Sequence, residues 1–354
     1  MKDEYAWYNG GRNLYENSPI APGGSNTYEL RLPSTEGATV VVAFGANMKG
    51  TQAKVYLDDE LKETKAISWS DYDKANGASF SITLGASEEG KTHKVKLENV
   101  GPGTVRLDYI SVTMKNMGQV PDVKSDRFPA VEFAGNIQNQ DLHADRDIDM
   151  VIIVPTSKNT IAQAERLKAF HEEHDGLKVR IVAANELYNE FSSGTPDASA
   201  YRRYMKMLYD RAETAEKAPK YLLLFGDCSF DNRMLTQDMK KASPDNYLLC
   251  FESENSFNEV SCYVSDDFFV LLDDNESISS GYYYRGIPDV GVGRFTCSTP
   301  EQARIFVDKT INYATTSPAG SWQNTLMFLG DDGNGSPQGH GVGCQLSILG
   351  IFLS

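Results

Sequence analysis

The sequence is short of cysteine, of histidine and of cationic side chains, and it contains no long apolar run. Its five cysteines (Cys228, Cys250, Cys262, Cys297 and Cys344) are odd in number and share no CxxC or metal-ligand spacing, which argues against a full disulfide framework and against a zinc site. Lys and Arg number 34 against 49 Asp and Glu, for a formal net charge of -15. A general nucleic-acid binder needs a basic face, so that class is excluded, and anionic membrane surfaces are poor partners. No stretch approaches the roughly 18 apolar residues of a membrane span. The opening Met1-Lys2-Asp3-Glu4-Tyr5 lacks the apolar core of a signal peptide. If the protein is exported, the expectation is that this chain begins inside a longer precursor.

What is present is globular: 354 residues, 40% hydrophobic and 23% charged, enough for two domains of ordinary size. Charge divides the chain. Residues 1–120 hold 13 Lys and Arg against 15 Asp and Glu, a net of -2, which leaves -13 for the remainder. Short runs with mostly alternating polarity occupy 27–32, 52–57, 79–84, 93–97 and 104–113, and several are separated by Gly, Asn or Asp clusters. That is the pattern of antiparallel strands joined by turns, and it predicts a β-sandwich or jelly roll over 1–118. Val40-Val41-Val42-Ala43-Phe44 is continuously apolar, as a strand covered on both faces would be. Residues 119–148, rich in Pro, Asp, Asn and Gln, read as a linker.

From Asp149 strands and helices alternate, as a mostly parallel sheet requires. Strands are expected at 150–154, 179–182, 221–227, 288–294 and 325–332. One helix is expected to follow Ile161 and stop near Gly176, and a second to run from Asp197 to about Ala215 with Tyr201, Tyr204, Met205 and Leu208 on one side. Thr299-Pro300-Glu301-Gln302 opens a third, with an N-cap, a Pro at the first helical position and a Gln where a capping box needs it. Ligands of open α/β sheets bind beyond the carboxyl ends of the strands. Asp227, Asp331 and Asp332 would share that edge and are the substrate-binding candidates.

Other constellations are weaker. His171-Glu172-Glu173-His174 places its histidines three apart, whereas a zincin pair is four apart with a third ligand downstream, so a solvated helix face is the better reading. Gly291-Val292-Gly293 lacks the third glycine of a dinucleotide loop. Residues 227–289 carry 13 acidic against 4 basic residues. Their clustered oxygens, with Asp266, Asp267, Asp273 and Asp274 foremost, would suit calcium, which takes about six to eight from flexible loops. No EF-hand spacing is present, and a solvated acidic surface is the alternative that the same residues favour.

Four segments in order carry a resemblance: Tyr221-Leu222-Leu223-Leu224-Phe225-Gly226-Asp227, Tyr263-Val264-Ser265-Asp266-Asp267-Phe268-Phe269, Pro288-Asp289-Val290-Gly291-Val292-Gly293-Arg294-Phe295 and Phe328-Leu329-Gly330-Asp331-Asp332-Gly333. Together they resemble the gingipain family of cysteine peptidases, and within it the PorU-type sortases of the Bacteroidetes type IX secretion system. The resemblance covers about 149–333, and the strand-rich part before it is similar to the β domain that precedes the peptidase in those sortases. It implies a β-sandwich followed by an α/β caspase-like (gingipain-like) domain. It also implies location at the cell surface, outer membrane or outside the cell, with cleavage of the C-terminal sorting domains of secreted cargo and transfer of cargo to an anchor. The implied partners are such cargo and other type IX components.

The family's chemistry needs a Cys thiolate and a His that serves as base and then acid, and in relatives both lie well downstream of the Gly-Asp-Asp-Gly strand, whereas this chain ends 21 residues after Gly333. The expectation is therefore a fold incomplete at the C-terminus, an aberrant or disordered tail at 334–354, and no peptidase activity. His340 and Cys344 sit in a Gly-rich tail and read as decoys, and no catalytic residue is assigned. The alternative class is a glycan- or protein-binding surface module without catalysis. A cofactor is not required by either reading, calcium aside.

Overall fold

The computed structural model describes residues 3–8, 10–31, 37–70, 72–86, 91–114, 130–133, 135–258, 261–278, 284–316, 320 and 325. The chain divides into a unit Met1–Val307 and a unit Asp308–Ser354. The sheets and the first three helices below belong to the first unit.

Alternating polarity does build the first 114 residues into antiparallel sheets. In one, Ser25–Arg31 pairs with Thr92–Asn99, which pairs with Gln52–Leu57, which pairs with Glu60–Ala66. In the other, Ala38–Ala46 lies between Asn76–Leu84 and Val105–Met114, with Val42 opposite both Phe80 and Ile110. Val40, Val42, Phe44, Phe80 and Leu107 from the second sheet and Val55, Val95 and Leu97 from the first form one buried apolar cluster. Burying each such side chain contributes about 1.5–3 kcal/mol, which is what fixes the register of both sheets.

The strand Glu60–Ala66 has no counterpart among the sequence expectations. It is exposed along nearly its whole length and carries no apolar alternation. Its signal is the turn before it, where Asp58 and Asp59 both take positive φ (50° and 68°), as a two-residue hairpin loop requires. Asp58 then closes the corner by accepting from the Lys94 amide at 2.9 Å and meeting His93 Nδ1 at 2.7 Å.

Beyond Asp149 a four-stranded parallel sheet has the order Val179–Ala183, Met150–Val154, Tyr221–Leu224, Gly291–Arg294. Helix α1 (Ile161–His174) follows the first of these in sequence and ends just before Gly176, whose φ of 68° is the left-handed cap expected there. Helices α2 (Ala184–Phe191) and α3 (Ser199–Asp210) bring Leu187, Tyr188, Tyr201, Tyr204, Met205 and Leu208 onto Val151, Ile153, Leu222 and Leu224. Strand alternation turns Ile152 to the opposite face. The expected 197–215 helix is shorter than its composition allowed. Asp197 Oδ1 accepts from the Ser199 amide at 2.8 Å just ahead of the Ala198 N-cap, and the helix ends at Asp210, two residues past Leu208, the last buried position of its apolar stripe. Helix α4 (Pro300–Thr315) starts with the reciprocal cap read from its sequence: Gln302 N donates to Thr299 Oγ1 at 3.3 Å, and Thr299 N to Gln302 Oε1 at 3.2 Å.

The segment 251–265 reaches back to the antiparallel sheets. Phe251–Glu252 pairs with Val264–Ser265, and Phe257 lies against Gly45 and Gly77. A Cβ on Gly45 would come within 2.9 Å of Trp7 Nε1 and 3.0 Å of the Tyr15 ring, so no side chain fits there. Asp73 accepts from Asn258 Nδ2 at 3.0 Å, and the Lys74 amide donates to the Phe257 carbonyl at 2.7 Å. Gly45→Val should therefore destabilise the protein by about 1–3 kcal/mol through overpacking. Chemical denaturation tests this, and an unchanged midpoint would mean that Trp7, Tyr15 and Phe257 do not close over Gly45.

Candidate functional site

Beyond the carboxyl ends of Met150–Val154 and Tyr221–Leu224 lies a cavity of about 1170 Å³. Its walls include Thr156 after the first strand, Phe230 to Met234 after the second, Thr195 to Ser199 leading into α3, Leu248 to Glu252, and Arg12, Asn13, Leu14 and Asp108 from the antiparallel region. The location is the one that a parallel sheet dictates. Residues from both regions are needed to enclose it.

Two acids in the wall are held partly protonated near neutrality. Burial, with Asp231 adding repulsion and Arg233 and Arg12 opposing it, pushes the Glu252 carboxyl up to about 7. Burial and the charge of Asp3 push Asp108 up to about 6. Asp231 is itself buried and accepts from the Thr236 amide at 2.6 Å, which shapes the loop. Arg12 pairs with Glu254 at the rim. Such a wall presents both hydrogen-bond donors and acceptors at neutral pH.

One cavity-lining residue, Cys250, is a thiol, and a second thiol lies in the adjoining loop. Cys250 is buried and Cys228 half-buried, both are free, and the Cys250 thiol donates to the carbonyl of Ser229, the neighbour of Cys228, at 3.2 Å. Behind them, Arg294 donates from Nε and NH2 to Asp266 at 2.9 and 2.7 Å, and its guanidinium also reaches the Gly226 carbonyl at 3.0 Å.

The carboxylates singled out from the sequence do not gather at one point. Asp227 caps the loop after its strand, accepting from the Cys228 amide at 2.9 Å, and it does not line the cavity. Asp331 and Asp332, with the expected strand at 325–332, lie outside the described residues, as do His340, Cys344 and the tail. Asp266 is taken by Arg294, and Asp267 begins a 3-10 turn. Asp274 pairs with Lys206 at 3.2 Å, and Asp273 accepts from Tyr209 at 3.3 Å. Among the described residues no three His, Cys, Asp or Glu side chains are arranged to hold a metal ion. His171 and His174 both turn their Nδ1 atoms to Asp175, at 2.6 and 2.7 Å, and these contacts, that of His171 first, hold the Asp175 carboxyl below its usual range. The cavity acids Glu252 and Asp108 were not legible in the sequence, since their burial depends on contacts made across the fold.

The sequence matches the profile of Peptidase family C25 over residues 143–347, more than half of the chain. The chain belongs to peptidase family C25. The match extends past Gly333 and includes His340 and Cys344. Dimeric latent PorU from Porphyromonas gingivalis is a structural relative at 24% identity and a TM-score of 0.74, over 93% of this chain and 39% of that one. This C25 chain thus spans about two-fifths of PorU, and the likeness establishes a shared fold. A family 35 carbohydrate-binding module from an environmental isolate aligns over 32% of this chain and 92% of its own, at 19% identity and a TM-score of 0.24, too low to carry an argument. No curated protein matches in sequence. Among the described residues, no helix is long and apolar enough to cross a membrane.

The cavity gives a pH prediction. An acid whose folded pKa is raised costs stability as pH climbs from its unfolded value, 4.5 for Glu252, through about 7, and the full cost persists above that. Glu252→Gln should therefore raise stability at pH 8 by up to about 3 kcal/mol and change little at pH 4. Denaturant midpoints at the two pH values measure it. Equal effects at both would show that Glu252 is not held neutral.

Proposed function

We propose that this chain supplies the β-sandwich and the first, noncatalytic caspase-like half of a PorU-type sortase of the type IX secretion system. In this reading residues 1–118 form the sandwich, 119–148 connect, 149–333 form the half-domain, and 334–354 lie outside it. The protein works at the cell surface, and its partners are secreted cargo with C-terminal sorting domains together with other type IX components.

The observation that carries the reading is collinearity. One superposition on PorU runs through the antiparallel sheets and the parallel sheet alike, covering 93% of the chain, and the family match coincides with the second part. The assignment of a noncatalytic role is supported by the side chains. Among the described residues no hydrogen bond joins an imidazole to a thiol: the partners of His93, His143, His171 and His174 are the carboxylates of Asp58, Glu190 and Asp175. Nucleophilic catalysis needs that pairing. The thiol and imidazole of the peptidase are then contributed by residues outside the described ones, with His340 and Cys344 as bystanders.

Two measurements test it. In the producing bacterium, deleting the gene segment for residues 1–333 should leave cargo with its sorting domain uncleaved, and normal processing would remove the sortase reading. The purified chain should not turn over a sorting-domain substrate, because losing one member of a Cys–His unit removes nearly all of the rate. Turnover that disappears in Cys344→Ala would instead make the Gly-rich tail an active site.

No cofactor enters this function. Calcium on the acidic loops is the one ion to test, by comparing melting in chelator and in millimolar calcium. Lys206 and Arg294 already neutralise Asp274 and Asp266, so the melting temperature should stay the same. A rise of several degrees would assign an ion to these loops, since binding to the native state alone stabilises it.

A further inference from the structure

We propose that Cys228 and Cys250 form a reversible disulfide, making the loop after Tyr221–Leu224 a thiol-oxidation site for small disulfide oxidants of the glutathione type. The inference does not rest on the sortase reading, because its readout is the covalent state of two side chains.

The loop is already wrapped around Cys250. Leu248 N donates to the Asp227 carbonyl at 2.8 Å, Cys250 N to Asn232 Oδ1 at 3.2 Å, and Asn232 Nδ2 to the Cys250 carbonyl at 3.0 Å. The Cys250 thiol donates back into the same loop, 3.2 Å from the carbonyl of Ser229, the residue that follows Cys228, so the segments 227–229 and 248–250 that carry the two cysteines lie side by side. Both are reduced in this structure. Joining them would tie together two segments that these hydrogen bonds already hold side by side.

The two thiols also have different tasks. The hydrogen bond from Cys250, assisted by the Arg294 guanidinium, pulls the Cys228 thiol down against the effect of burial. The same contact and burial push Cys250 up. Cys228, half-buried rather than sealed, is therefore the attacking thiolate, and Cys250, only 1% exposed, is the resolving thiol. Cys262 and Cys297 are pushed up to about 11, burial being the main cause, and stay protonated at neutral pH.

The chemistry balances with one oxidant molecule. The Cys228 thiolate attacks one sulfur of glutathione disulfide, its S–S bond breaks, and a glutathione thiolate leaves and takes a proton from solvent. The Cys250 thiol then loses its proton and attacks the Cys228 sulfur, expelling the second glutathione thiolate, which takes that proton. Two protein thiols are oxidised and one disulfide is reduced to two thiols. The bridge would pin Phe230 to Arg233 against Leu249 to Glu252, the facing walls of the cavity.

The test uses the full chain in glutathione buffers of graded redox ratio, followed by acid quench, alkylation and peptide mass spectrometry. Oxidising buffers should yield a Cys228–Cys250 cross-linked peptide with a mass lower by about 2 Da, reversed by dithiothreitol. Cys250→Ser should stop at a glutathione adduct on Cys228, whereas Cys228→Ser should leave Cys250 unmodified. Mapping of the unsubstituted chain decides the matter even if a variant fails to fold. Alkylation of both cysteines after oxidation, a stable glutathione adduct on the unsubstituted chain, or a bridge to Cys262 or Cys297 would each overturn the proposal.

Discussion

A guanidinium taken out of water must have its donors satisfied, or it costs several kcal/mol. The parallel-sheet region is arranged around one such group. The Arg294 side chain, 6% exposed, ends the strand Gly291–Arg294 and donates to both oxygens of Asp266, to the Gly226 carbonyl and, at 3.3 Å, to the Leu249 carbonyl. Four chain segments that are distant in sequence are thus held to one cation: the last described strand, the loop after Tyr221–Leu224, the cavity wall at Leu249, and the turn at Asp266. Removing the arginine would leave the Asp266 carboxylate without its counter-charge and two carbonyls without donors. Removing Asp266 would strand a buried positive charge, and losses of this kind typically cost about 3–5 kcal/mol.

That arrangement changes the meaning of the acidic stretch. Thirteen acids over 227–289 look like a cation trap when they are counted along the chain. In space several of the described ones turn to partners within the protein. Asp266 answers Arg294 and Asp274 answers Lys206, while Asp289 accepts from the Leu272 amide at 2.8 Å and Asp231 from Thr236. Each contact closes a turn or docks a loop, which is a common use of carboxylates in segments with little regular structure. Local composition reports how many oxygens are present. It cannot report which way they turn.

The same division explains what could be read from the sequence. Elements whose signal is local came through: the apolar strand Met150–Val154, the cap at Thr299 and Gln302, the left-handed Gly176, and the tyrosine-rich face of α3. The exposed strand Glu60–Ala66 and the short helix α2 were not legible. The first has no apolar alternation and is held by its partner strand, and the second follows Val179–Ala183 without an intervening turn signal. The order of four motifs was enough to point to the family, and the three that lie among the described residues each include a strand and the polar residues beside it. The cavity was only half legible. Its position follows from the parallel sheet, but Arg12, Leu14 and Asp108 arrive from more than a hundred residues upstream.

That upstream contribution follows from how the segment 251–265 is anchored. Its tip is fixed to the antiparallel sheets by Phe257 on Gly45 and by Asn258 on Asp73, while its base carries Glu252 and leads to Asp266. One segment therefore links the sheet surface, the cavity wall and the Arg294 cluster. Its rigidity is not intrinsic, since the paired strands Phe251–Glu252 and Val264–Ser265 are two residues each, too short for independent stability. The segment is ordered by what it touches at its two ends. A change at either end must then be felt at Glu252, whose neutral form survives only while the wall around it stays closed. The antiparallel region is thereby a structural part of the site, whatever else it binds.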